Sequence, residues 1–276
     1  MKLKTLITAL GATTALVGTA DADHRWGTYH WARTSNPVPL QVVDSVTPFW
    51  QFELETALDE WNQSQAFQMS ITSVDESDRT RKRCPMVSGQ MRVCNASYGN
   101  NGWLGLASIN LDSQGHITQG TAKMNDSYGS YFADPDQRHH VMCQEAGHVF
   151  GLGHTSEDGS SQQTCMDYSN DPRSISPNSH DYQLLADIYA HTDSYDSYAA
   201  GGSGGEGGGG TCPGKKKNCL RADNVPGIPN GAALVNSTKF SETWIKADGK
   251  DGLWVFHVRL APGFHREHDG HDGHEH

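Results

Sequence analysis

The stretch Cys143-Gln144-Glu145-Ala146-Gly147-His148-Val149-Phe150-Gly151-Leu152-Gly153-His154, followed by Cys165-Met166-Asp167-Tyr168, decides how this chain is read. Its spacing is Glu-x-x-His-x-x-Gly-x-x-His. On a helix, positions 144 and 148 lie one turn apart on the same face, so both side chains can reach one metal ion. Glu145 projects about 100° further round, close enough to hold a water on that metal without ligating it. Gly151 tolerates the positive φ that ends a helix sharply, which lets the chain return His154 as a further ligand. A short turn carrying Met166 would then form a floor beneath the site.

These residues resemble the metzincin signature, H-E-x-x-H-x-x-G-x-x-H with a downstream Met-turn. Glu145, His148, Gly151 and His154 match it, and Met166 matches the Met-turn. Thr155 is most similar to the matrixin branch, which usually has Ser there. Tyr168, two residues past Met166, resembles the astacin and serralysin turn, where such a Tyr approaches the zinc. The departure is Gln144, which stands where the family carries its first His. An amide oxygen is a poorer zinc ligand than an imidazole nitrogen. Two arrangements answer this: Tyr168 completes a set of Gln144, His148 and His154, or Gln144 ligates with Cys143 holding its backbone. His140 lies two turns from His148, about 12 Å along a helix, and Cys143 is displaced from the 144/148 face, so neither substitutes well. The rival reading is a degenerate site that has lost its metal.

What the resemblance implies is an α/β (α+β) fold: a twisted mixed sheet, a long active-site helix and a Met-turn. It implies a zinc metalloendopeptidase acting on protein or peptide, with Glu145 as general base. It also allows a structural calcium at Asn125, Asp126, Asp134 and Asp136, and makes one of the strands before the metal helix an edge that pairs with extended substrate. The likeness spans roughly residues 31 to 191, strong at the motif and loose elsewhere. The alternative, from another class, is an exported binding or metal-binding protein on a retired peptidase scaffold.

Elsewhere the chain reads as follows. Residues 1–22 have the look of a signal peptide: Lys2 and Lys4, a small apolar run, and Ala20-Asp21-Ala22 as a cleavage site. Export, to the exterior or a periplasm, follows, and no other stretch is long enough to span a bilayer. Six cysteines in an exported chain favour disulfides. Their spacing suggests Cys84–Cys94, Cys143–Cys165 and Cys212–Cys219, although spacing does not fix connectivity. A formal charge of −11 argues against nucleic acid or an anionic membrane as partner. A monomer is expected. No room for an inhibitory propeptide is expected before Trp31.

Pro37–Val43 reads as a strand. Thr47-Pro48 reads as the cap and first position of a helix that buries Phe49, Phe52, Leu54, Ala57, Leu58 and Trp61. Phe67–Val74 reads as a second strand, and residues 75–92 as a polar surface excursion. Gly102–Leu111 and Ile117–Met124 form a hairpin about Asp112–Gly115, and the metal helix begins near Asp134-Pro135. Ser176-Pro177 opens a last helix, with His180 and His191 as surface or capping residues. The catalytic domain is thus placed at 23–198. A Gly-rich linker at 199–211 cannot build a core. A separate small β-hairpin module at 212–264 follows, with strands at 239–246 and 253–260, and a His-rich tail at 265–276 offers loose metal binding.

Overall fold

The computed structural model describes residues 24–198, 227–249 and 251–264. The expected signal peptide, the linker, the Cys212–Cys219 pair and the His-rich tail lie outside the described residues. Among those described, no helix is long and apolar enough to cross a membrane.

Among the described residues, nine strands form one mixed sheet, with four α-helices. The strands are β1 (His30–Trp31), β2 (Gln41–Ser45), β3 (Ser70–Val74), β4 (Gln90–Ala96), β5 (Trp103–Leu111), β6 (His116–Asn125), β7 (Ala233–Ser237), β8 (Ser241–Ala247) and β9 (Leu253–Leu260). The helices are α1 (Pro48–Trp61), α2 (Asp78–Arg83), α3 (Pro135–Val149) and α4 (Ser179–Ile188). The strand order is β3-β2-β4-β6-β5-β9-β8-β7, with β1 pairing to one end of β6. β2, β3, β4 and β6 run parallel, whereas β5 pairs antiparallel with β6 on one side and with β9 on the other.

The last pairing corrects the separate module expected for 212–264: β7, β8 and β9 extend the same sheet. The reason is visible in the alternation of β9. Val255 joins the core shared with α3, while Phe256, Val258 and Leu260 join a second apolar cluster with Trp103, Leu106 and Trp244 on the opposite face. A strand buried on both faces needs cover on both, and the β5 edge supplies a pairing partner.

α3 runs across the sheet against β5, β6 and α1. Asp134 caps it by accepting from the Asp136 amide, and Pro135 fits its first turn, where no intrahelical donor is needed. From His139 to Val149 every residue is buried. Trp61 of α1 donates its indole N–H to the Cys143 carbonyl at 3.1 Å and is itself fully buried. Full burial of an apolar side chain of this kind stabilises by roughly 1.5–3 kcal/mol. Phe49 and Phe52, expected on the buried face of α1, are exposed, and Trp50 takes the inward place. The inward stripe therefore runs 50, 54, 57, 58, 61, and the Phe49 ring instead lies under the Arg138 guanidinium at 4.5 Å. The polar stretch 75–92 carries α2, and Cys84 is bonded to Cys94. Cys143 is bonded to Cys165, tying α3 to the turn that carries Met166.

Candidate metal centre

α3 places Gln144, Glu145 and His148, and its C-terminal turn places His154. Gly151 has φ +96°, and a Cβ there would run into the Tyr29 carbonyl, so the sharp turn needs glycine. Beneath the helix Met166 is fully buried, and a Cβ on Gly147 would come within 2.5 Å of its sulfur. The helix and the Met166 turn thus meet at the smallest residue available.

Three imidazoles converge: His148, His154 and His257, the last from β9. His148 donates Nδ1–H to the Leu152 carbonyl at 2.8 Å, which leaves a lone pair on Nε2. His154 Nδ1 lies 3.2 Å from the Glu157 carboxylate, which likewise turns its Nε2 inward with a free lone pair. The two Nε2 atoms sit 3.0 Å apart. Two such lone pairs repel unless a cation lies between them. Zinc bound to two nitrogens at its usual bond length separates them by about 3.4 Å. The Tyr168 hydroxyl is 2.7 Å from His154 Nε2 and 3.1 Å from His257 Nε2.

Glu145 points into the same space, with Oε2 3.7 Å from His257 Nδ1. Room for it comes from β5, where a Cβ on Gly105 would collide with its carboxylate. Both Glu145 oxygens and His257 Nδ1 are buried without a hydrogen-bond partner. Unsatisfied buried polar atoms are costly and call for a water or ion. Burial raises the Glu145 carboxyl to about 7, against the opposing pull of His148, Arg259 and the Ala107 backbone, which approaches the carboxylate without reaching hydrogen-bond geometry. Burial first, then neighbouring positive charge, lowers His148 and His257 to about 3 and His154 well below its usual range. Neutral imidazoles are the form a metal needs. Three neutral nitrogens, a phenol and an adjacent carboxylate are a donor set that fits zinc.

Gln144 is not in this group. Its Nε2 donates to the carbonyls of Cys165 and Asp167, both at 2.9 Å, and its Oε1 accepts from Arg259 at 2.8 Å. The expected Gln144 ligand is therefore corrected. A neutral amide satisfies two carbonyls and a buried guanidinium at once, which an oxygen on zinc could not do. His140 belongs to the same support: Nε2 meets the Asp167 carbonyl at 2.9 Å, and Nδ1 lies 3.4 Å from Arg259. Tyr168 is brought to the cluster as the resemblance implied. The third imidazole was missed. His257 and Arg259 lie two apart on the β9 face that also carries Val255, opposite Ala107 and Gly105 of β5. Two cation-capable residues on the Val255 face of an otherwise apolar strand were the available signal.

The calcium expectation finds no convergent group among the described residues. Asp126 accepts from Trp50 and Asn95, Asp134 caps α3, and the Asn125 amide donates to the carbonyls of Gly99 and Trp103.

A cleft of ≈ 360 Å³ opens onto the three imidazoles, lined by His24, Arg25, Trp26, Asn236 and Thr243 among others. No protein-family model matches the chain, and no curated protein is detectably similar to it.

Proposed function

We propose that the protein is a zinc-dependent metalloendopeptidase of metzincin-like design, in which His257 replaces the family's first helix ligand. The observation that carries the reading is the buried, unpartnered Glu145 carboxylate beside three converging imidazoles. A site that only held metal structurally would have no use for it. Zinc held by His148, His154 and His257 would supply Lewis acidity toward a peptide carbonyl and an attacking water. Glu145, poised near neutrality, accepts the water's proton and returns it to the leaving amine. Arg259, buried behind Gln144, adds positive charge that favours an ionised Glu145. Substrate enters by the cleft along His24–Trp26, because β9 already pairs with the β5 edge. The two disulfides fit an oxidising compartment, and we place the protein outside the cytoplasm as a monomer with its expected signal removed.

A second reading rests on Tyr168. With its hydroxyl as fourth ligand the set is closed, as in structural zinc sites, and the protein is a non-catalytic binding module. Hydrolysis of an unstructured protein by the zinc-loaded chain separates the two. The peptidase reading expects cleavage that falls by about 10²–10⁴-fold in Glu145→Gln while bound zinc is unchanged. Zinc binding with no cleavage by the wild type supports the closed site, and full activity in Glu145→Gln removes Glu145 as base.

A further inference from the structure

At the other end of the sheet, away from Glu145, a second group of imidazoles converges. His30 and His116 are register partners where β1 pairs with β6. His191 and Asp193 follow α4. All three Nε2 atoms lie close to one oxygen, Asp193 Oδ1: 3.6 Å for His30, 3.6 Å for His116 and 3.5 Å for His191. His30 Nε2 and His191 Nε2 are 3.2 Å apart. The other carboxylate oxygen is occupied: Asp193 Oδ2 accepts from the Arg33 backbone N–H at 3.0 Å and from its guanidinium at 3.3 Å. Oδ1 is thereby left for the imidazoles.

The outward nitrogens settle the tautomers. His30 Nδ1 lies 2.8 Å from the Thr28 carbonyl, which can only accept, so Nδ1 carries the proton and Nε2 a lone pair. The Tyr195 hydroxyl donates to Asp112, so its oxygen accepts from His116 Nδ1 at 2.7 Å. His116 Nε2 is then also a lone pair. The His30 and His116 lone pairs therefore both lie near Asp193 Oδ1, and His30, His191 and Asp193 bring their ligand atoms within 4.8 Å of one another. His30 carries an acceptor on its far nitrogen, as ligating histidines do. His30, His116 and Asp193 have side chains about one-tenth exposed and His191 is half exposed, so an ion can enter from the His191 side.

We propose that His30, His191 and Asp193 form a second metal site, of N₂O donor class, that takes a zinc-type divalent ion, with the His116 imidazole beside Asp193 Oδ1. Three protein ligands leave the fourth position to water. The ion ties β1, and β6 through its pairing with β1, to the segment after α4. This assigns a ligand role to His191, expected above as a surface or capping residue. The site shares no residue with the first, and it stands whether or not that site is catalytic.

The test counts tight zinc on the full chain, using zinc alone and competition with a chromophoric chelator strong enough to strip the loose His-rich tail. Wild type is expected to hold two equivalents. Asp193→Asn and His191→Gln should each lose one, with at least a tenfold weaker hold in the second, while His148→Ala loses the other equivalent. His191→Gln changes a half-exposed side chain, so its circular dichroism should match wild type even where Asp193→Asn unfolds. Zinc should also raise the Tm of His148→Ala but not that of the His148→Ala/His191→Gln double variant. Equal zinc counts in wild type and His191→Gln, or an equal zinc-induced Tm rise in both His148→Ala backgrounds, would overturn the proposal.

Discussion

Replacing Gln144 with Leu distinguishes a ligand from a support. In the structure the side chain makes three buried hydrogen bonds: two to the carbonyls of Cys165 and Asp167, and one from the Arg259 guanidinium. A bond to a charged group contributes about 1.5–3 kcal/mol and each amide–carbonyl bond about 0.5–1.5 kcal/mol. Leu returns only apolar contact, so the net loss is about 3 kcal/mol, mostly from stranding Arg259. For a domain of this size that lowers Tm by about 6–12 °C. The assay is thermal unfolding followed by circular dichroism, once in chelator and once with zinc. Because Gln144 supports the fold and does not bind metal, the drop should be similar in both, and zinc affinity should change less than about tenfold. An unchanged Tm in chelator together with a hundredfold loss of zinc affinity would refute the reasoning and restore Gln144 as a ligand.

Two further outcomes follow from the same geometry. Gly105→Ala pushes a methyl group into the Glu145 carboxylate, so cleavage should fall at least tenfold and stability by about 1–3 kcal/mol, with zinc content retained; full activity would show that Glu145 is not confined by β5. The metal-free protein should lose stability as pH falls from about 6.5 towards 4.5. There the unfolded chain protonates His140, His148, His154 and His257 while the folded chain holds their pKa values down, each costing up to about 1.4 kcal/mol per pH unit. Glu145 acts in the opposite sense, because its raised folded pKa takes up a proton below about 7 that the unfolded carboxyl does not bind until about 4.3. Four imidazoles outweigh one carboxyl, and urea titrations at pH 7.5 and 5.5 that agree would contradict the assignment of buried neutral histidines.

Local spacing carried much of this structure. The helix around His148, the glycine turn, the β5–β6 and β8–β9 hairpins and two cysteine pairings all depend on residues close in sequence, or on few alternatives. What spacing could not show was the pairing of β9 with β5, because an edge strand accepts any suitable partner and nothing local names it. His257 and Arg259 came with that pairing. The Gln144 ligand that spacing suggests fails for the related reason that its partner Arg259 lies on the same distant strand. His191 was passed over because its neighbours His30 and His116 are brought to it only by the β1–β6 register. In α1 Leu54, Ala57, Leu58 and Trp61 are buried as the spacing predicts, and only the first turn differs, since Phe49 and Phe52 are as apolar as Trp50 and packing against Phe132 favours Trp50.

The central claim is that the catalytic zinc takes its third imidazole from the C-terminal strand, and zinc affinity of His257→Ala tests it most directly. Structural zinc sites bind with about 10–16 kcal/mol across four ligands, so removing one should cost about 3 kcal/mol. Competition with a chromophoric chelator should therefore show the site at least a hundredfold weaker, with cleavage lost in parallel. Unchanged affinity with faster cleavage would contradict the account, and would make β9 a cover over a site whose third ligand comes from elsewhere.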